Sequence, residues 1–454
     1  MTHGSYYTQV AIIGGGISGT ALLFMLSRYT EIESITLFEK YNRPATLNSS
    51  AKANSQTLHI GDIETNYDYE KAKKVSASSS MVANFITHFN YEDTIGFRKP
   101  KMVLAVGEEE IAELQARYKT FKVLFPYLEL WDAKALEVIE PMLTKGRKEP
   151  ILAMGTKDKI TTVDFGKLSQ TFIDLSQKER CTVDLNFGME VTKITKKWDK
   201  FLISTNRGEF MSEVVVVDAG AHSLLFAHEM GYGDDYAMLP IGGSFYFAKK
   251  QLLNAKVYTM QNPKLPFAAV HGDPDLTAGW RTRFGPTAFA MLALERYHHM
   301  EILNLFDLLS LDRSVLGVYY DLMKDEDIRT YILRNFTHEL PGIGNEFFIK
   351  EVQKLIPTLH SDDIEYADGY GGMRPQIIDK KAKKLLLGEA KINTGAGIIF
   401  NMTPSPGASS CLGNAFEDAK ILCDFLGVDL LKRKIKKELC DEKEYCYINQ
   451  QQNR

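Results

Sequence analysis

Cysteine is scarce in this 454-residue sequence: the five cysteines lie far apart, at Cys181, Cys411, Cys423, Cys440 and Cys446. Because no C-x-x-C pair occurs, the pattern argues against a disulfide framework or a cysteine metal site and is typical of reduced thiols in the cytosol. A run of about 18 apolar residues is also missing, so no helix is expected to span a membrane. The first ten residues lack the basic and apolar regions of a signal peptide. We therefore expect a cytoplasmic protein, with contact to a membrane surface left open.

The sequence also has little excess of either charge: charged residues make up 25% of the chain, but the formal net charge is −4. This balance argues against nucleic acid as the main partner. The hydrophobic share of 44% is ordinary for a folded protein. The length predicts about two or three domains.

The most informative stretch is residues 10–23, VAIIGGGISGTALL, which has the pattern of a buried strand, a glycine turn and a helix. Gly14, Gly16 and Gly19 have the spacing G-x-G-x-x-G, which permits a tight turn, close approach to a pyrophosphate, and close packing of helix on strand. A second apolar run ends at Glu39, whose carboxylate is placed to accept hydrogen bonds from ribose hydroxyls. These features predict a bound dinucleotide without deciding between NAD and FAD.

Further along, short strands between residues 181 and 217 lead to Asp218-Ala219-Gly220, which predicts a return of the chain to the nucleotide-binding sheet. Residues 240–358 predict a mixed sheet with helices. A late strand then enters a Pro/Gly/Ser turn before a helix that starts near Cys411. The basic segment after residue 430 is expected to be a solvated amphipathic helix, with a membrane-surface contact as the alternative.

Taken together, these segments resemble the glutathione-reductase-like flavoproteins of the D-amino-acid-oxidase type and, within that group, the malate:quinone oxidoreductase family. The resemblance is carried by five blocks: GGGISGTALL (14–23), NSQTLHIGDIETNY (54–67), FAAVHGDPDLTAGWRTRFGPTA (267–288), GGMRPQII (371–378) and SPGAS (405–409). The L-2-hydroxyglutarate dehydrogenases fit almost as well, but they tend to show glycine at the position of Gln56 and asparagine at that of Thr287. Both families oxidise an L-2-hydroxy dicarboxylate.

The resemblance implies an α/β fold in which a Rossmann-like FAD-binding domain of the D-amino-acid-oxidase type joins a substrate domain built on a mixed or antiparallel sheet with helices. We expect the FAD-binding domain to comprise residues 1–95, 160–238 and 366–430. The substrate domain is expected to comprise residues 96–159 and 239–365, followed by a charged tail over 431–454.

FAD is the expected cofactor because Gly395-x-Gly397, which would have to serve NAD(P)H, is incomplete and precedes a strand. The resemblance then implies a membrane quinone as the electron acceptor. Motif and resemblance together assign the following residues to FAD: Gly14, Gly16, Ile17, Ser18, Gly19, Glu39, Lys40, Ser55, Gln56, Thr57, Val191, Ala219, Gly220, Gly372, Arg374, Pro406, Gly407, Ala408 and Ser409.

Oxidation of a secondary alcohol needs a base for the hydroxyl proton, and histidine suits that role near neutral pH. His59 and His271 lie in the matching blocks, and His271 is the preferred candidate. A dicarboxylate also needs cations, and arginine can bind a carboxylate through two parallel hydrogen bonds. Arg283 and Arg374 are the expected clamps, with Arg281 predicted to share a strand face with Arg283.

The sequence thus predicts FAD-dependent oxidation of (S)-malate to oxaloacetate, a step of the tricarboxylic acid cycle, with electrons passed to a membrane quinone. The protein is expected at the inner face of the cytoplasmic membrane as a peripheral protein. Three alternatives stay open at this point: an L-2-hydroxyglutarate dehydrogenase or oxidase, an amino-acid oxidase that reacts with oxygen, and a non-catalytic flavin-binding interaction protein.

Overall fold

The computed structural model describes residues 6–261, 269–291, 293–296, 326–386, 390–402 and 407–440, together with 317, 320 and 324. The strands are β1 (Tyr6–Ile13), β2 (Ser34–Glu39), β3 (Gly96–Arg98), β4 (Lys101–Val106), β5 (Glu129–Asp132), β6 (Ile151–Thr156), β7 (Ile160–Val163), β8 (Thr182–Phe187), β9 (Val191–Lys197), β10 (Lys200–Thr205), β11 (Gly208–Val217), β12 (Tyr236–Ala248), β13 (Lys256–Thr259), β14 (His271–Pro274), β15 (Thr282–Gly285), β16 (Phe289–Ala290), β17 (Ile364–Asp379), β18 (Lys384–Leu385), β19 (Ala390–Asn393) and β20 (Ile398–Met402). The helices are α1 (Ile17–Tyr29), α2 (Tyr69–His88), α3 (Glu108–Leu124), α4 (Ala133–Ile139), α5 (Phe165–Ser176), α6 (His222–Glu229), α7 (Glu326–His338), α8 (Gly344–Gln353), α9 (Cys411–Leu426) and α10 (Lys432–Ile435).

The first sheet has the strand order β19-β20-β11-β1-β2-β8, and β9 and β10 extend it as a hairpin from β11. Its central strands β20, β11, β1, β2 and β8 run parallel. Both faces are covered, because Val214 and Val216 pack among residues of α1, α2, α5 and α9, while Val215 and Val217 pack with α6 and the β9–β10 hairpin. A parallel strand buried on both faces reads as a continuous apolar run, which explains the sequence VVVV at the end of β11.

The second sheet has the order β18-β17-β12-β15-β14-β13-β4-β6-β5, with β16 paired to β12. Its long antiparallel pair, β12 and β17, runs from Tyr236 opposite Asp379 to Ala248 opposite Ile364. The chain from residue 366 to 385, which the sequence analysis assigned to the FAD-binding domain, therefore hydrogen-bonds within the second sheet. The expected boundaries at 95/96 and 159/160 also separate β3 from β7, although these strands pair with each other.

The basic segment after residue 430 is docked on the first domain as far as residue 440. Ile435 and Leu439 are buried, and Glu438 pairs with Arg28 and accepts a hydrogen bond from Tyr29 at 2.8 Å. The hydrophobic side chains of this segment are therefore packed against α1 and α2. Residues 441–454 lie outside the described part of the chain. Among the described residues, no helix is both long and apolar enough to cross a membrane.

Candidate active site

A long cleft runs from the glycine turn after β1 to the second sheet. Of the residues predicted to bind cofactor or substrate, it is lined by Gly14, Gly16, Ile17, Ser18, Glu39, Lys40, Ser55, Thr57, His59, Val191, Ala219, Gly220, Gly372, Arg374, Gly407, Ala408 and Ser409. The residues Gly19, Gln56, His271, Arg281 and Arg283 lie outside this lining, and Pro406 lies outside the described residues.

The glycine turn shapes one end of the cleft by keeping side chains out of it. Gly14 has φ +113°, and a Cβ there would lie 2.4 Å from the carbonyl oxygen of Asp218. A Cβ on Gly19 would lie 2.0 Å from the carbonyl oxygen of Gly14, so this glycine packs α1 against β1 and has no cleft contact of its own. At Gly16 a Cβ would meet just Ser49 Oγ, at 3.2 Å, and would otherwise project into open space. The turn therefore forms a cradle of bare backbone at a helix N-terminus, which fits a pyrophosphate.

Glu39 is fixed beside this cradle by two backbone donors. The amide of Gly15 donates to Oε2 at 2.7 Å and that of Tyr41 to Oε1 at 2.8 Å. Burial raises the pKa of the Glu39 carboxyl, and the two backbone hydrogen bonds oppose that rise. Since the carboxylate lines the cleft, its position fits a hydrogen bond to a ribose hydroxyl.

The segment from Ser55 to His59 forms part of the other end and is held from both sides. Ser409 Oγ accepts the amide hydrogen of His59 at 2.9 Å, which ties this segment to the turn before α9. From beneath, the buried ammonium groups of Lys256 and Lys101 donate to the carbonyls of Ser55 and Leu58, at 3.0 and 3.1 Å. These two lysines face each other across β13 and β4. The segment is thereby fixed on a rigid support.

The two candidate histidines lie in different layers. His59 lines the cleft, and its Nδ1 lies 2.6 Å from Oε1 of Glu64, while its Nε2 lies 3.5 Å from Ser55 Oγ. His271 is 2% exposed. Its ring stacks on Tyr258 with centroids 4.3 Å apart. Burial lowers the pKa of the His271 imidazole. The ring of Tyr258 lies between His271 and His59, since it contacts both imidazoles. The geometry thus favours His59 over His271, the reverse of the sequence-based preference.

The three candidate arginines are also separated. Arg283 is fully buried, with Nη1 2.7 Å from Asp275 Oδ2 and its guanidinium over the ring of Phe245, so it supports the wall of the cleft from behind. Arg281 donates to the carbonyl of Ala248 at 2.9 Å and pairs with Glu365. The expected shared face fails because β15 begins at Thr282, after a turn in which Trp280 has φ +66°.

Arg374 is the arginine of this set that lines the cleft. It lies two positions after Gly372 on β17. A Cβ on Gly372 would lie 2.4 Å from the carbonyl oxygen of Ala53. Burial lowers the pKa of the Arg374 guanidinium, while three nearby tyrosines, Tyr331, Tyr258 and Tyr67, raise it. No described residue forms a hydrogen bond or ion pair with this guanidinium, so the structure places a cation with free donors in the cleft.

One residue of this region lies elsewhere than expected, and two others were not anticipated from the sequence. Gln56, expected at the cofactor, instead points into the protein. Its Nε2 donates to Asp275 Oδ2 at 3.0 Å, and its Oε1 accepts the backbone amide hydrogen of Leu276 at 2.9 Å. Lys101 gave a usable signal, because a lysine at the start of the apolar strand KMVLAV suggests a buried pair. Glu64 gave none, since a glutamate five residues after a histidine is common in any loop.

Comparison with known proteins identifies the family. The family model described as malate:quinone oxidoreductase (Mqo) matches residues 6–417. The chain is 48% identical over 441 residues to a probable malate:quinone oxidoreductase of Campylobacter jejuni subsp. jejuni serotype O:2, covering 95% of this chain and 98% of that protein. It is 44% identical over 448 residues to the malate:quinone oxidoreductase of Helicobacter pylori strain J99, covering 96% and 98% respectively.

Among solved structures, the chain is similar to L-α-glycerophosphate oxidase from Mycoplasma pneumoniae with FAD bound. The TM-score is 0.64 and the sequence identity 18%, over 92% of this chain and 94% of that one. Glycine oxidase from Geobacillus kaustophilus gives a TM-score of 0.63 at 18% identity, over 92% and 95%. These likenesses confirm the predicted D-amino-acid-oxidase type of fold. With the family model matching nearly the whole sequence, the chain belongs to the malate:quinone oxidoreductase family.

Proposed function

We propose that this chain oxidises (S)-malate to oxaloacetate in the cleft described above, with FAD lying along it from the glycine turn to His59, and that the electrons pass to a quinone. The family to which the chain belongs oxidises malate with a quinone as acceptor, which makes the chain a flavin-dependent oxidoreductase acting on a CH–OH donor. The observation that carries the proposal is one cleft with a bare phosphate cradle at one end and, at the other, a histidine–carboxylate pair and an arginine that has no hydrogen-bond or ion-pair partner among the described residues.

The residues present fit FAD. Among the residues that line the cleft, Gly14 and Gly16 would receive the pyrophosphate, Glu39 and Lys40 would hold the ribose, and Val191, Ala219 and Gly220 would border the adenosine. The remaining predicted contacts that line the cleft would hold the flavin ring; they are Ser55, Thr57, Gly372, Gly407, Ala408 and Ser409. When bound, FAD supplies the acceptor for the hydride of malate.

The chain's own residues handle the proton and the charge. Nε2 of His59 takes the proton of the malate hydroxyl, because Nδ1 is engaged with Glu64. Arg374 holds a malate carboxylate, because its donors have no described partner and burial strengthens the ion pair. Tyr258 donates to Thr57 Oγ1 at 2.7 Å and is stacked on His271, so it keeps the wall between the two histidines in place. In this arrangement the first sheet is the cofactor domain and the second sheet encloses the substrate.

The substrate is tested by anaerobic reduction of the FAD-loaded protein with malate, L-2-hydroxyglutarate, lactate and amino acids. We expect malate to bleach the flavin fastest and a soluble quinone to restore its colour. Lactate lacks the second carboxylate and should reduce the flavin far more slowly. Reduction by L-2-hydroxyglutarate without reduction by malate would overturn the substrate assignment, and no reduction by any of them would favour a non-catalytic flavin-binding protein.

We also propose that the protein contacts the inner surface of the cytoplasmic membrane peripherally, through a surface on α7, α8 and the turn between them. Five large apolar side chains on this surface are between 41% and 60% exposed: Leu333, Phe336, Leu340, Ile343 and Phe347. We call these five residues the apolar face. Exposed apolar patches of this kind mark protein or membrane contacts, and quinones dissolve in lipid.

The C-terminal part of α7 and Glu339, which directly follows it, contact the cleft lining, which supports the same proposal. Asn335 Oδ1 accepts the amide hydrogen of Ala288 at 2.8 Å, and Glu339 Oε1 accepts the hydroxyl hydrogen of Thr287 at 2.5 Å. Ala288 and Thr287 both line the cleft. A membrane bound at the apolar face would therefore lie one helix away from the catalytic cleft.

Replacing both Phe336 and Leu340 by glutamate is expected to abolish cosedimentation with vesicles of anionic and neutral phospholipid, because two charges would have to enter the lipid surface. The same variant should keep its rate with a soluble quinone and lose turnover with quinone embedded in vesicles. Val138→Glu is the matched control, since Val138 is 85% exposed on α4 and outside the apolar face. Equal vesicle binding by both variants would show that the apolar face is not the contact.

A further inference from the structure

Glu64 lies directly behind His59, on the side away from the cleft. Its Oε1 is 2.6 Å from Nδ1 of His59, and the two side chains are 10% and 17% exposed. Its other oxygen, Oε2, is buried and has no hydrogen-bond partner among the described residues. The carboxylate therefore makes its one strong contact with the imidazole.

The Glu64 side chain is not what holds its own turn together. The backbone carbonyl of Glu64 already accepts a hydrogen bond from Arg117 Nη2 at 2.6 Å and another from the amide of Tyr67 at 3.1 Å. Arg117 also donates to the carbonyls of Thr65 and Tyr67, so α3 anchors the whole turn through its backbone. A buried carboxylate that the turn does not need is better explained by what it does to His59.

The charges around the pair keep Glu64 ionised. Burial raises the pKa of the Glu64 carboxyl, but the hydrogen bond from His59, the positive charge that the imidazole carries when it is protonated, and the nearby ammonium of Lys101 lower it to about 2. Lys101, on β4, also pairs with Asp62, and Tyr127 donates to that aspartate. Across the cleft side, Tyr258 on β13 meets the imidazole edge to face at 5.8 Å. His59 therefore contacts one anion, Glu64, which accepts its hydrogen, and the neutral ring of Tyr258. The charged groups that face the pair from α3 and β4 are Arg117 and Lys101, and Lys101 is itself paired with Asp62.

We propose that Glu64 is the positioning residue for His59, an inference that rests on the proposed function. By accepting the Nδ1 hydrogen, it fixes the tautomer in which Nε2 carries a lone pair toward the cleft. Oxidation of malate breaks its C2–H and O–H bonds and forms the C2=O bond: bound FAD would accept the hydride, and Nε2 takes the hydroxyl proton. The imidazole then carries a proton on each nitrogen, and the Glu64 carboxylate balances that charge.

The test is Glu64→Gln in the FAD-loaded protein, which keeps the size of the side chain and removes its charge. The rate of flavin reduction by malate should fall about 10- to 100-fold, a part of the 10²–10⁴ that a general base contributes, while KM changes by less than about threefold. The acid limb of the pH profile should move to lower pH, because a protonated imidazole is less stable without the anion. Glu109→Gln, on the exposed surface of α3, is the control for a charge away from the pair and should leave both quantities unchanged.

The outcomes separate this inference from the proposed function. If the unmodified protein is not reduced by malate, the proposed function fails. If it is reduced, and Glu64→Gln has the same rate and the same acid limb, the positioning role fails. Should Glu64→Gln lose FAD, two further measurements decide. Glu64→Asp, which retains the charge, should keep the acid limb in place, and ¹⁵N shifts of His59 in the unmodified protein should show Nδ1 protonated; the opposite tautomer overturns the proposal.

Discussion

His59→Ala is expected to lower the rate of flavin reduction by malate about 10²- to 10⁴-fold, the usual contribution of a general base. The substitution removes the Nε2 that faces the cleft, while the backbone amide that bonds Ser409 Oγ remains. The phosphate cradle lies at the far end of the cleft and is untouched. Stopped-flow reduction under anaerobic conditions measures the rate, and the flavin-to-protein absorbance ratio measures FAD content, which should be unchanged.

Two other histidines serve as references for this result. His360→Ala should be neutral, because His360 lies on the exposed surface next to a short 3₁₀ turn. His271→Gln should cost less than His59→Ala, because His271 is behind Tyr258 and out of the cleft lining. If His271→Gln abolishes reduction while His59→Ala is reduced normally, the assignment of the base is reversed.

Arg374→Ala is expected to lower kcat/KM for malate by about 30- to 5,000-fold, which corresponds to about 2–5 kcal/mol for removing one partner of a buried charge pair. Most of the loss should appear as weaker malate binding, since the carboxylate is present throughout the reaction. Arg374→Lys should recover the charge but not the paired hydrogen bonds, and so should recover part of the affinity. Steady-state kinetics with a soluble quinone gives both constants.

Arg281→Ala is the matched control for the clamp, because Arg281 lies outside the cleft lining and is paired with Glu365. We expect its kcat/KM to stay within about threefold of the unmodified protein, as for surface substitutions in general. A large loss in Arg281→Ala together with normal affinity in Arg374→Ala would contradict the placement of the substrate.

The parts of the candidate site that can be predicted from sequence are those whose geometry is local. The spacing of Gly14, Gly16 and Gly19 predicts the turn directly, because a tight turn and close packing of the helix on the strand each require glycine at a fixed offset. Glu39 follows from the length of the strand that carries it. Arg374 lies in one of the five blocks that carry the family resemblance, and it lines the cleft. The malate:quinone oxidoreductase family and the fold type, predicted from five separated blocks, are confirmed.

The features that could not be predicted from sequence depend on which elements become neighbours in space. His59 and His271 both lie in blocks that match the family. The antiparallel pairing of β13 with β14 places Tyr258 opposite His271, and the Tyr258 ring covers that histidine. The domain boundary near residue 366 depends on the pairing of β17 with β12, whose partners are more than 100 positions apart in the chain. The role proposed for Glu64 depends on the orientation of one side chain, which no residue pattern specifies.

The most direct test of the account is a structure of the FAD-loaded protein with a bound malate or a non-reacting analogue. The account predicts the pyrophosphate at Gly14 and Gly16, the substrate hydroxyl hydrogen-bonded to Nε2 of His59, and a substrate carboxylate paired with Arg374. A substrate bound at Arg281, or one whose hydroxyl meets His271 and leaves His59 without a contact, would contradict it.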